Sequence, residues 1–148
     1  MIGRYTRLEM GHIWEFQNKF DIWREIEVLA CEAQAELGQC GITKEEAKWI
    51  RDHAAADADR IAEIEKVTNH DVIAFTTNMA ENIDADIPEG EEKPSRWVHY
   101  GRTSSDLGDT ARSYQVMQAL DIIIEDVRAI GEICKKRAFE FQNTLCVG

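Results

Sequence analysis

A histidine and three consecutive hydroxyl residues stand just before a long proline-free stretch of the chain. They lie in residues 97–106, which read Trp-Val-His-Tyr-Gly-Arg-Thr-Ser-Ser-Asp and are called the hydroxyl segment here. At a helix N-terminus, hydroxyl groups, backbone N–H groups and the positive end of the helix dipole converge on one anion. The segment therefore predicts a carboxylate or phosphate site that contains His99, Thr103 and Ser104. The alternative is that Ser104 or Ser105 only caps the helix, and both interpretations can hold together.

His70 and Asp71 form a second candidate group. A carboxylate near an imidazole orients the ring and makes it a plausible proton donor. Adjacent residues on a helix do not face each other, so the sequence does not imply a direct pair. The alternative is a solvent-exposed histidine at a helix start.

Arg4 and Tyr5 form a third candidate group near the start of the sequence. A guanidinium group holds phosphate in a forked geometry, and an aromatic ring beside it offers a platform for a base or sugar. The alternative is an exposed arginine in a terminal segment.

The cysteines and histidines are scattered along the chain without the spacing of metal ligands, so no metal site is predicted. Cys31, Cys40, Cys134 and Cys146 lack CxxC spacing. Cys31 and Cys134 have apolar neighbours, which favours buried, reduced thiols in a cytoplasmic protein.

The chain is strongly acidic, with a formal net charge of -11 over 148 residues. This charge argues against nucleic acid or an anionic membrane as the main partner, because both would repel the chain. No apolar stretch is long enough to span a bilayer. A small anionic metabolite remains compatible, since a locally basic pocket is sufficient to bind it.

Capping residues and apolar spacing predict an all-α fold. Thr43 and Glu46 form a capping-box pattern, and Gly38 is a natural helix stop. The predicted helices cover residues 9–16, 22–37, 43–53, 57–67, 70–83 and 105–141. The acidic loop 84–96, which contains both prolines, divides the chain into a predicted helical domain at 1–96 and a second part at 97–148.

The helix predicted at 105–141 has an apolar face that the rest of the chain is too short to cover. Apolar or small residues follow a 3,4 spacing from Met117 to Phe141. At 1.5 Å per residue the helix would span roughly 55 Å. The face therefore predicts further long helices, from missing sequence or from other subunits, and the chain is expected to be a truncated part of something larger.

Several segments of the chain resemble adenylosuccinate lyases of the fumarase/aspartase superfamily. The matching segments are collinear and cover essentially the whole chain, namely residues 4–14, 25–33, 65–75, 97–106 and 109–111. The resemblance implies an N-terminal helical domain followed by the first long helix of the superfamily's helical bundle.

The resemblance also implies roles at the nucleotide end of the substrate. Arg4 and Tyr5 would hold the phosphate and ribose, and His99 would lie near the phosphate. The chain differs from the family at Arg102, where the family usually has an uncharged residue, so that a positive charge is either supplied or misplaced there. It also differs at Asn69, where the family usually has an arginine.

At the succinyl end, the resemblance implies that Thr103 and Ser104 grip the carboxylates. His70 would be the catalytic residue, positioning substrate or assisting proton transfer, with Asp71 lining the site beside it.

The family's reaction is a β-elimination that releases fumarate from adenylosuccinate or from the related ribotide SAICAR. A base removes a proton next to a carboxylate, donors stabilise the resulting aci-carboxylate, and an acid protonates the leaving nitrogen. No metal or organic cofactor is required. Each site is assembled from three subunits of a homotetramer, and two further catalytic segments of the family lie outside residues 1–148. The chain alone is therefore predicted to be an inactive N-terminal portion.

Two other functions remain open from the sequence. One is a non-catalytic helical module that uses its long apolar helix for oligomerisation or interaction. The other is a sister lyase that acts on a different succinyl or amino-acid conjugate.

Overall fold

Side-chain caps determine where the middle helices of the chain begin. The backbone N–H of Glu46 donates to Thr43 Oγ1 at 3.1 Å, and the backbone N–H of Thr43 donates to Glu46 Oε2 at 2.9 Å. Asp57 Oδ1 accepts the backbone N–H of Arg60 at 3.0 Å. Both caps satisfy N–H groups that the first helical turn leaves without a partner. They confirm the predicted starts at 43 and 57.

The computed structural model describes residues 2–145 and 147, and within them every regular element is helical. The helices are α1 (Leu8–Ile13), α2 (Phe16–Glu36), α3 (Lys44–His53), α4 (Ala58–Thr68), α5 (Asp71–Ile83) and α6 (Ser104–Glu140), with short 3-10 turns at Gly3–Tyr5 and Pro94–Trp97. The predicted all-α fold class is confirmed.

An aromatic cluster on α2 and α5 forms the centre of the core. The rings of Phe20 and Phe75 stack at 6.0 Å, and Trp23 meets Phe75 edge-on at 5.3 Å. Leu107 and Ala111 at the start of α6 belong to the same buried cluster. Helix α2 therefore lies at the middle of the packing. The division of the chain at 84–96 stays a prediction.

The first predicted helix is shorter than expected: α1 ends at Ile13 instead of continuing to residue 16. The Ile13 carbonyl accepts Asn18 Nδ2 at 2.9 Å and Gln115 Nε2 at 2.7 Å. These side chains satisfy the oxygen that a longer helix would pair with its own backbone. Helix α1 therefore ends three residues before its predicted end at residue 16.

Helix α6 confirms the predicted long helix, running over 37 residues from Ser104 to Glu140. Its first part packs against α1 and α2 through Leu107, Ala111 and Ala119. Every described residue after Ile122 is solvent-exposed. Cys134 lies on this uncovered stretch, so the prediction that it is buried was wrong. No helix of the described residues is long and apolar enough to cross a membrane.

Candidate functional site

The hydroxyl segment is held against α2 by contacts to its backbone. Cys31 Sγ donates to the Trp97 carbonyl at 3.5 Å, and Gln34 Nε2 donates to the Tyr100 carbonyl at 3.3 Å. The Trp97 indole donates to Glu46 Oε1 at 3.0 Å, which ties the same segment to α3. One face of α2 thus fixes the turn that leads into α6.

His99 is bound to a buried carboxylate on α2. Glu27 is fully buried, and its Oε2 accepts the His99 backbone N–H at 2.8 Å. Its Oε1 lies 2.7 Å from His99 Nδ1. The His99 backbone is left-handed, with a φ of 61°. A residue with a side chain rarely adopts this conformation, so the bond to its N–H helps to offset the strain.

Arg102 points inward to the same carboxylate. One guanidinium nitrogen, Nη2, donates to Glu27 Oε2, and the Arg102 side chain is only 14% exposed. Its Nε and Nη1 are buried without a hydrogen-bond partner among the described residues. The positive charge at this position therefore neutralises Glu27 and is not presented to solvent at the hydroxyl segment.

Thr103 is the N-cap of α6, and the prediction that Ser104 or Ser105 has this place was wrong. The backbone N–H of Thr103 donates to Asp106 Oδ2 at 2.9 Å. Thr103 is extended, with φ -117° and ψ 166°, and Ser104 is the first helical residue. The Asp106 side chain reaches back to residue 103, so the helix begins one residue earlier than expected. Thr103 and Ser104 are exposed at the positive end of the helix.

His70 is the N-cap of α5. Its Nδ1 accepts the backbone N–H of Ile73 at 3.3 Å, so a neutral ring carries its proton on Nε2. The side chain is 47% exposed. His70 therefore caps the helix and leaves Nε2 available for another group, and its role as a proton donor stays a prediction.

Asp71 lies near His70 but pairs elsewhere. The distance from His70 Nδ1 to Asp71 Oδ1 is 3.8 Å, too long for a hydrogen bond. Asp71 Oδ1 instead accepts its neighbour's backbone N–H, from Val72, at 2.8 Å. Lys19 Nζ lies 3.6 Å from Asp71 Oδ2. Asp71 and Lys19 share the lining of a cleft of about 380 Å³ with Phe16.

Arg4 and Tyr5 lie in the 3-10 turn before α1. The Arg4 guanidinium stacks over the Tyr5 ring at 4.8 Å, and the Tyr5 residue is 75% exposed. Arg7 Nη1 then donates to Asp126 Oδ2 on α6 at 2.6 Å, which holds this turn near the long helix. No hydrogen bond or ion pair of the described residues joins this group to the His70 group or to the hydroxyl segment.

Glu27 is the site residue that the sequence analysis missed. It lies four residues after Trp23 and four before Cys31, and all three are buried on one face of α2. Residues four apart share a helix face. A carboxylate on an apolar face requires a partner, because an unpaired buried charge is costly. The place of Glu27 on an apolar helix face could therefore have indicated a buried, paired carboxylate. It does not identify His99 or Arg102 as the partner.

Burial raises the pKa of the Cys31 thiol to about 11, with the Arg102 charge acting in the opposite direction. The thiol of an unfolded chain ionises first as the pH rises, so the folded state loses stability between the two pKa values. We expect the free energy of unfolding to fall by about 2 kcal/mol from about pH 8.5 to about pH 10.5 through this thiol. Urea unfolding of the wild type and Cys31→Ala measures the difference in slope.

Cys40→Ala is the matched control for this experiment, because Cys40 is exposed. Its stability is expected to follow the wild-type pH dependence. If Cys31→Ala shows the wild-type slope as well, the buried thiol is not the group that titrates.

Comparison with known proteins confirms the resemblance. Residues 6–148 match a family described as "Lyase". The chain is 48% identical over 148 residues to an adenylosuccinate lyase of Bacillus subtilis (strain 168), covering 100% of this chain and 32% of that relative. It is 44% identical over 148 residues to an adenylosuccinate lyase of Staphylococcus saprophyticus subsp. saprophyticus, again with 100% and 32% covered. The chain thus spans 32% of the length of each of these relatives.

Proposed function

Because the chain belongs to this lyase family over residues 6–148, we propose that the protein containing it is an adenylosuccinate lyase. The reaction is the β-elimination of fumarate from adenylosuccinate and from SAICAR. The observation that carries the proposal is the hydroxyl segment. It is bound to α2 and places two exposed hydroxyl residues, Thr103 and Ser104, at the positive end of a 37-residue helix. Such an end stabilises an anion whose charge increases in the transition state.

Each residue group has a proposed role in this reaction. Thr103 and Ser104 bind the succinyl carboxylates and stabilise the aci-carboxylate that forms when a proton leaves the adjacent carbon. His70 supplies a hydrogen bond or a proton to substrate through Nε2, since its Nδ1 is occupied by the helix cap. Asp71 lines the site beside it.

The nucleotide end of the substrate is proposed to bind at the Arg4 and Tyr5 group and at His99. Arg4 and Tyr5 hold the phosphate and ribose, and His99 lies near the phosphate. These groups are not bonded to one another within the described residues. We therefore also propose that the complete protein is a homotetramer in the cytoplasm. Assembly of this tetramer would bring together site residues from several subunits.

The proposal is tested with the complete protein and adenylosuccinate as substrate. We expect fumarate and AMP to form in equal amounts, with no added metal or organic cofactor. Argininosuccinate, offered at the same concentration, distinguishes a sister lyase, because release of fumarate from that compound alone would contradict the purine substrate. Absence of turnover on either compound would favour the non-catalytic module.

The exposed face of α6 is proposed to be the assembly surface. Ile123, Ile130 and Ile133 are each about half exposed, at 46%, 59% and 60%. Burying this face against another copy removes apolar area from water. We expect the chain to self-associate, and Ile130→Glu to weaken association at least about tenfold, because the new carboxylate would be buried without a partner. Sedimentation equilibrium measures the effect.

Val67→Glu is the matched control, since Val67 is 82% exposed and belongs to α4 instead of α6. Its association constant is expected to match the wild type. A monomeric wild-type chain, or equal weakening by both variants, would contradict the assignment of the α6 face.

A further inference from the structure

We propose that Glu27 is a positioning residue, which holds His99 in the orientation and tautomer in which Nε2 accepts a hydrogen bond from a hydroxyl at the nucleotide end of the substrate. The inference rests on the proposed function for the identity of that substrate. It goes beyond that function by assigning a buried residue of α2 to the site, although this residue touches no substrate itself.

Glu27 has a specific geometry toward His99. A buried carboxylate needs several donors, and a glutamate that only fills the core could take them from different residues. Both oxygens of Glu27 instead bond to the same residue, one to its backbone N–H at 2.8 Å and one to its ring at 2.7 Å. Two bonds from one rigid carboxylate fix both the backbone and the ring plane of His99.

The two ring nitrogens of His99 have different roles. A carboxylate is an acceptor only, so His99 must carry a proton on Nδ1 to bond to Glu27. Nε2 is then the nitrogen left for a ligand. The hydrogen bond made by one ring nitrogen determines whether the other nitrogen of a neutral ring carries a proton. Glu27 thereby selects which nitrogen of His99 faces the ligand.

Arg102 supplies the countercharge to Glu27. Arg102 donates to the same carboxylate and lies on the hydroxyl segment, three residues after His99. Its positive charge lies against the fully buried Glu27 carboxylate and offsets the cost of burying a negative charge. The Cys31 thiol on α2 also lies near this carboxylate and the Arg102 charge. Arg102 thus supports the acceptor, and no hydrogen bond of the described residues joins it to the His99 ring.

The test compares Arg102→Leu with the double variant Glu27→Gln/Arg102→Leu in the complete protein. In the double variant, the glutamine oxygen accepts the His99 backbone N–H, because this N–H can only donate. The glutamine NH₂ group then faces Nδ1, and the ring responds by moving its proton to Nε2. Arg102→Leu keeps the carboxylate, so we expect Nδ1 to stay protonated.

Nitrogen-15 solid-state NMR of histidine-labelled protein reads the tautomer without substrate. The His99 signal is identified as the one absent from His99→Asn. Steady-state kinetics provides the second readout. We expect KM of the double variant to exceed that of Arg102→Leu by about 10- to 100-fold, with kcat changed much less, as for other groups that orient a binding histidine.

Each result decides the proposal. A switch of tautomer together with the rise in KM supports it. A His99 ring that keeps Nδ1 protonated in the double variant overturns it, and so does a switch that leaves KM unchanged. If the wild type shows no turnover, the proposed function fails instead. The positioning of His99 by Glu27 is then judged by the NMR result alone.

Discussion

When the complete protein is assayed for the proposed lyase activity, His70→Asn is expected to lower kcat roughly 10²- to 10⁴-fold, the usual contribution of a positioned acid or base. Asparagine is a good N-cap, and its oxygen can accept the Ile73 N–H that His70 Nδ1 now accepts at 3.3 Å. The substitution therefore removes the ring and its Nε2 while keeping the start of α5. Steady-state kinetics gives kcat, and urea unfolding measures stability.

Two further variants separate catalysis from capping. His70→Ala loses the cap as well, so we expect about 1 kcal/mol lower stability than for His70→Asn. His12→Asn changes an exposed histidine whose Nδ1 lies 3.2 Å from Glu15 Oε2, and its kcat is expected to match the wild type. If His70→Asn keeps wild-type kcat, His70 serves only as the helix cap.

Local chemistry was sufficient to predict most of the helices. The capping groups at Thr43 and Asp57 act within three residues of chain, so their meaning does not depend on the rest of the fold. The apolar spacing after residue 105 likewise predicted both the length of α6 and its uncovered face. In these cases the sequence contains both partners of the interaction within one helical turn or one repeating pattern.

The site depends on contacts that local patterns do not contain. Glu27 and His99 are 72 residues apart in sequence, and the bond between them exists only because α2 docks against the hydroxyl segment. The Arg102 side chain points inward for the same reason, because its acceptor Glu27 lies on α2. The end of α1 at Ile13 similarly depends on Gln115, 102 residues away along the chain. Residue types indicated anion chemistry at 97–106, whereas the partner that orients His99 required the tertiary structure.

The buried charges at Glu27 and Arg102 give the largest expected effect on stability. Removal of one member of a buried pair costs about 3–5 kcal/mol, because the other charge stays in the interior without a partner. We expect this loss for Glu27→Leu, since the Arg102 side chain is 14% exposed and two of its nitrogens already lack partners among the described residues. Urea unfolding of the chain measures it.

The two single variants should not be equal, and this asymmetry follows from the geometry. Arg102→Leu leaves Glu27 with two of its three donors, both from His99, so we expect a smaller loss of about 1–3 kcal/mol. Glu27→Leu leaves Arg102 with none of its present acceptors. The double variant Glu27→Leu/Arg102→Leu removes both charges, and we expect it to be more stable than Glu27→Leu alone, because no buried charge then lacks a partner.

This double-variant comparison also tests whether the pair is buried in solution. Additive losses would mean that the two charges do not interact, and a Glu27→Leu variant as stable as the wild type would place Arg102 in solvent. Either result would contradict a carboxylate shared by His99 and Arg102. The loss of stability in the double variant is expected to be smaller than the sum of the two single losses, because the Arg102 guanidinium stays buried when Glu27 is removed. The stability measurement and the NMR tautomer test examine the same carboxylate by independent means.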